Sequence, residues 1–121
     1  MSQRAAGSGK DLDQNRNTQQ NTDGEVSDDI IDGFVFEGYG NLEVYCQQKH
    51  KGETVWLHNK NADFFANVVE ISLGWEEVVF VASFPKLPAV SYKVQFATGT
   101  DRSRIAFVTI FPNKPSHIDW R

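Results

Sequence analysis

The chain has 121 residues, of which 40% are hydrophobic, 12% aromatic and 23% charged, with a formal net charge of −4. That length holds one domain, and the longest uninterrupted apolar run, residues 78–82, is far too short to span a bilayer. The single cysteine, Cys46, excludes an internal disulfide framework and a Cys-clustered zinc site.

The charge is unevenly placed. Residues 1–32 carry three bases (Arg4, Lys10, Arg16) against seven acids (Asp11, Asp13, Asp23, Glu25, Asp28, Asp29, Asp32). The rest of the chain balances nine of each sign. No aromatic residue precedes Phe34, and Gln, Asn, Ser, Thr and Gly fill most of the remaining early positions. Such a stretch cannot bury enough apolar surface to offset the cost of ordering its backbone, about 1–2 kcal/mol per residue. The composition predicts a disordered, acidic and polar arm over residues 1–29 and a folded domain over 30–121. Residues 1–10 are polar and lack the apolar core of a secretory leader, so a cytoplasmic location is expected. The neutral balance of the folded part argues against nucleic-acid binding by phosphate neutralisation.

From Phe34 onward the hydrophobic period is two. Leu42, Val44 and Cys46 alternate with Glu43, Tyr45 and Gln47, the pattern of a half-buried strand. Lys51-Gly52 reads as a turn. Val55 and Leu57 then alternate with Trp56 and His58, and residues 59–63 have the composition of a loop. Phe65, Asn67, Val69, Ile71 and Leu73 fall on one face of the next expected strand, which Gly74 ends. A helical stripe of Phe64, Phe65, Val68, Val69 and Ile71 competes there, but β-branched and aromatic residues favour the strand. Residues 76–84 form a run apolar on both faces. Pro85 and Pro88 bracket a connection that a central strand should not contain. Val90, Tyr92, Val94 and Phe96 alternate again, residues 98–101 read as a turn, and residues 105–111 form a last β-rich run ended by Pro112 and Pro115. About seven short strands with regularly spaced turns predict an all-β, antiparallel two-sheet sandwich or barrel.

Catalytic signatures are sparse. His50, His58 and His117 have no His or Cys partner at metal-ligand spacing, and no phosphate loop or nucleophile elbow is present. Glu76 and Glu77 are adjacent, so on a strand they point to opposite faces. The expectation is therefore a binding protein, with no enzymatic activity and no cofactor. The informative group is His58, Trp75 and Phe84-Pro85. An indole face packs well on the C–H patch of a pyranose, while hydroxyls need polar partners in fixed directions. Trp75 as platform with His58 beside it fits sugar recognition. Alternatively, Trp75 sits at a turn and caps one end of the core.

The order of these residues resembles a galectin domain over roughly residues 31–121. Leu42-Glu43-Val44 is similar to the family's Phe-x-Val-x-Leu strand. Trp56-Leu57-His58-Asn59-Lys60-Asn61 is similar to its Leu-His-Phe-Asn-Pro-Arg segment. Val68-Val69-Glu70-Ile71-Ser72 resembles its Ile-Val-x-Asn-Ser strand. Trp75-Glu76-Glu77 stands where the family has Trp-Gly-x-Glu, and Phe84-Pro85 follows at the family's spacing. The resemblance implies a jelly-roll sandwich, calcium-independent β-galactoside binding, and any export proceeding without a signal peptide. It implies sugar contacts from His58, Asn61, Trp75 and Glu77. The site is degenerate: Asn61 matches only after a one-residue shift, Ala62 and Ile71 replace an arginine and an asparagine, and Glu77 falls one residue short. The sequence also ends before the family's last two strands, which leaves open edges for a second copy or a protein partner. The competing expectation is thus a structural or interaction subunit that binds no sugar. An immunoglobulin-like or transthyretin-like sandwich is a further alternative, since the run from Leu87 to Val94 also suits the latter.

Overall fold

A computed structural model describes residues 26–121, with side chains from Ile30 onward. The arm expected over 1–29 lies outside the described residues as far as Glu25. Nine strands are described: β1 (Val26–Ile30), β2 (Tyr39–Cys46), β3 (Thr54–Asn59), β4 (Ala62–Asn67), β5 (Val69–Gly74), β6 (Glu77–Pro88), β7 (Ser91–Phe96), β8 (Ile105–Thr109) and β9 (Pro115–Asp119). A single turn of 3-10 helix (Gln48–His50) follows β2. The strands form a four-stranded sheet, β9-β2-β6-β5, and a five-stranded sheet, β1-β4-β3-β7-β8. The expected all-β two-sheet sandwich is the architecture found.

Alternation builds the core. Leu42, Val44 and Cys46 of β2 and Ala82 and Phe84 of β6 face inward from one sheet. Val55 and Leu57 of β3, Phe64 of β4, and Tyr92, Val94 and Phe96 of β7 face them from the other. Each is at most 2% exposed, and burying a Leu or Phe side chain contributes about 1.5–3 kcal/mol. The Tyr92 hydroxyl avoids an unpaired polar burial by donating to the Pro88 carbonyl at 2.7 Å. Its burial raises the phenol pKa.

Several expectations are corrected. Residues 59–63 are a tight hairpin rather than a loop: Asn59 pairs with Ala62, leaving Lys60-Asn61 as the turn. The Asn59 side chain holds it, accepting from the Asn61 N–H at 2.8 Å and donating to the Ser91 carbonyl at 2.9 Å. The stretch from Phe65 to Leu73 is not one strand with a common face. It divides at Val68, where the chain passes from one sheet to the other. In β4 the inward set is Ala62, Phe64 and Ala66, and Phe65 points outward. The two alanines leave room for Phe64 beneath the bulky residues of β3 and β7.

Pro85 and Pro88 both lie within β6, a central strand. This is tolerated because β5 covers β6 only from Glu77 to Val81, so the far half of β6 is paired on one side alone. The register with β2 also shifts between Gly40 and Leu42, opposite this segment, and a bulge is where a missing N–H does least harm.

Two strands lie outside those that the period of two marks out, although the galectin resemblance places an early strand at Ile31-Asp32-Gly33 and the end of a later one at His117–Arg121. β1 pairs antiparallel with β4 and takes in residues 26–29, assigned to the arm by composition. β9 begins at Pro115, which looked like a terminator, and runs parallel to β2.

An aromatic platform as the candidate functional site

The outer face of the five-stranded sheet carries the residues that alternate with the core. On β3 these are Trp56 and His58, on β4 Asp63 and Phe65, and on β7 Lys93 and Gln95. Register sets them in two rows. One runs Phe65, Trp56, Gln95, Ile105, and the other Asp63, His58, Lys93, Phe107. Directly opposed side chains on one face stand about 4.5–5.5 Å apart at Cβ, so each row is a continuous surface.

The first row is built around two parallel rings. Trp56 and Phe65 have centroids 6.0 Å apart and planes within 5°. His58 lies 5.2 Å from Trp56, tilted by 51°. Asp63 locks both neighbours: its Oδ1 accepts from Trp56 Nε1 at 3.0 Å and from His58 Nδ1 at 2.6 Å. With Nδ1 donating to a carboxylate, Nε2 of the neutral ring remains as an acceptor. A shallow hollow of about 420 Å³ lies elsewhere, on the opposite sheet, but the one beside these rings, about 340 Å³, is lined by Trp56, Phe65, Gln95, Phe96, Ala97 and Arg102. Arg102 reaches it from the loop after β7, where it donates to the Ala97 carbonyl at 3.4 Å.

The four residues expected to bind sugar fall in two hairpins. His58 and Asn61 share the β3–β4 hairpin. Asn61 sits in its turn, with its N–H bonded to Asn59 and its carbonyl accepting from the Ile31 N–H at 2.9 Å. Trp75 and Glu77 belong to the β5–β6 hairpin of the other sheet. Trp75 is 91% exposed in the turn, so it does not cap the core. Glu77 is exposed at the start of β6. The structure thus brings His58 together with Trp56, Phe65 and Asp63, and places Trp75 and Glu77 on the opposite sheet.

The larger hollow, on the outer face of the four-stranded sheet, has an apolar floor that includes Leu73 and Val79. Four of its polar groups bond in pairs. Tyr45 donates to Glu43 at 2.6 Å, which raises the phenol pKa. Arg121 grips both oxygens of Asp119 at 3.0 and 3.1 Å and holds that carboxyl down at about 2. The same guanidinium covers the Tyr45 ring at 4.9 Å.

Two further titratable groups are structural. Cys46 is 1% exposed, and burial pushes its thiol up to about 11, as befits the small buried hydrophobe expected from its strand position. His50 is equally buried, stacked on Phe96 at 4.5 Å, with Nδ1 bonded to Glu53 at 2.8 Å. Among the described residues no group of three or more His, Cys, Asp or Glu side chains is placed to hold a metal ion, and no helix is long and apolar enough to cross a membrane. Comparison of the chain with protein-family models, with curated proteins and with solved structures finds no match.

Proposed function

We propose that the protein is a carbohydrate-binding module whose ligand lies on the outer face of the five-stranded sheet, against Trp56, Phe65 and His58. The observation that carries this reading is Asp63, which holds an indole and an imidazole in fixed directions with one oxygen. A sugar ring packs its C–H face on the aromatic surface. His58 Nε2 then accepts from a hydroxyl, and the Gln95 amide beside Trp56 supplies a donor and an acceptor. A mostly apolar surface with a few convergent polar groups is the usual make-up of a small-ligand site. A β-galactoside, which the galectin resemblance implies, is one candidate for this surface.

The test is a titration of lactose and a panel of neutral and charged oligosaccharides by tryptophan fluorescence and calorimetry. Trp56→Ala is expected to weaken binding at least tenfold, and Trp75→Ala to leave it unchanged. The reverse result would move the ligand to the β5–β6 hairpin. No binding of any sugar by folded protein would end the lectin reading.

An interaction subunit without a sugar ligand is the second reading, favoured by one observation. β8 ends the five-stranded sheet, contains no charged residue, and exposes 78% of Phe107. Uncharged edges of this kind recruit further strands. Its signature is a stable assembly at micromolar concentration without sugar, dissociated by Phe107→Lys.

A further inference from the structure

We infer that the saccharide is acidic, a uronate whose carboxylate lies toward β7. This rests on the carbohydrate reading above and names the ligand class for the same surface. The platform is electrostatically lopsided. On its β4 side stands Asp63, whose engaged Oδ1 already accepts from Trp56 and His58. Its negative charge disfavours an anion on that side. The other side is basic. Lys93 lies directly across from His58 on one neighbour and from Phe107 on the other, and is half-buried between them. A lysine so placed lays its methylenes along apolar neighbours and keeps its ammonium at the surface. Arg102 borders the hollow beside Trp56 and Phe65. Neither cation is paired with a carboxylate among the described residues.

The chemistry of a uronate fits this arrangement. Its pyranose keeps the C–H face that the Trp56 ring needs. Its carboxylate is attached directly to the ring, so it sits at the edge of a stacked sugar rather than above it. On the β7 side of Trp56 that edge meets Gln95, with Lys93 in the row on one flank and Arg102, held at Ala97, on the other. A guanidinium matches a planar carboxylate with two parallel hydrogen bonds, and an ammonium adds a point charge.

The experiment compares an oligogalacturonate with its fully methyl-esterified form, which keeps the rings and removes the charge. Calorimetry is run on the full chain at low and at moderate salt. The acid is expected to bind at least tenfold more tightly than the ester, with the advantage shrinking as salt screens it. The double variant Lys93→Ala/Arg102→Ala, its fold checked by near-ultraviolet circular dichroism, should bind acid and ester alike. Trp56→Ala should weaken both. Equal binding of acid and ester to the native protein overturns this inference while leaving the carbohydrate reading intact. So does an acid preference that survives the double variant. A sulfated oligosaccharide that binds more tightly than the uronate overturns the uronate assignment. Failure of every saccharide to bind removes both proposals together.

Discussion

Asp63 is the side chain on which the platform geometry depends. Removing it leaves Trp56 Nε1 and His58 Nδ1 without their acceptor, although both are near enough to solvent to recover part of the loss. Asp63→Ala is therefore expected to cost about 1 kcal/mol of stability, read by urea denaturation, and to broaden the orientation of the indole. An unchanged near-ultraviolet spectrum would mean that packing on Phe65 alone fixes Trp56. Cys46 predicts a pH effect of definite sign. Its thiol is neutral in the fold and is held protonated up to about 11, whereas in the unfolded chain it ionises near the ordinary value of about 8.5. Below that value both states are protonated and stability is at its full level. As pH rises toward 11 the unfolded state loses its proton first, and stability falls by about 2–3 kcal/mol. Unfolding free energies measured from pH 7 to 10.5 should decline in the native protein, and the slope should flatten in Cys46→Ala.

Elements differ in how openly the sequence announces them. β2, β3 and β7 alternate without interruption, so their inward residues can be named from sequence alone. β4 could not be oriented, because Phe64 and Phe65 are adjacent and either could face the core. The decision rests on Ala62 and Ala66, small enough to sit inward, and on Asp63, which could not. That ambiguity also hides the platform: Trp56 and His58 read as outward-facing, but their partner Phe65 groups by period with Val69, Ile71 and Leu73, which lie on the other sheet. The hydrophobic period does not mark β9, because Pro115 suggests an end, although a proline at the first position of a strand costs no ladder bond. Gly40 shows how closely this last segment approaches. A Cβ there would run into the Phe111 carbonyl oxygen and come within 2.7 Å of Ile110 Cγ2. Backbone cannot swing aside, so Gly40→Ala should destabilise by about 1–3 kcal/mol, measured by thermal or urea unfolding. A neutral result would mean that the turn after β8 moves freely away from β2.

At the scale of the molecule, one end of the sandwich is closed by a stack rather than by a strand. His50 lies on Phe96, Phe96 on Trp120 at 5.0 Å, and Arg104 over Trp120 at 5.5 Å. His50 joins the 3-10 turn to this stack and, through Nε2, faces Asp101 of the loop after β7 at 3.8 Å. His50→Ala removes a fully buried ring and its bond to Glu53, and is expected to cost about 2–4 kcal/mol, read by urea unfolding. The two-sheet arrangement was legible from the period of the apolar residues. This closure was not, since a lone histidine between Lys49 and Lys51 resembles a solvated turn.

The parallel ladder between β9 and β2 has a consequence for how the molecule is made. Asn41 pairs with Pro115 and Tyr45 with Asp119, so β2 leaves the ribosome well before this neighbour, with the strands from β3 to β8 made in between. Until Asp119 has emerged, one flank of β2 presents unsatisfied amides and carbonyls beside nascent β-rich chain. Closing so long a span is slow compared with forming the β3–β4 hairpin, and an open flank of this kind invites pairing with other chains. The interval between completing β6 and releasing β9 is therefore the one in which the nascent chain is most open to mispairing.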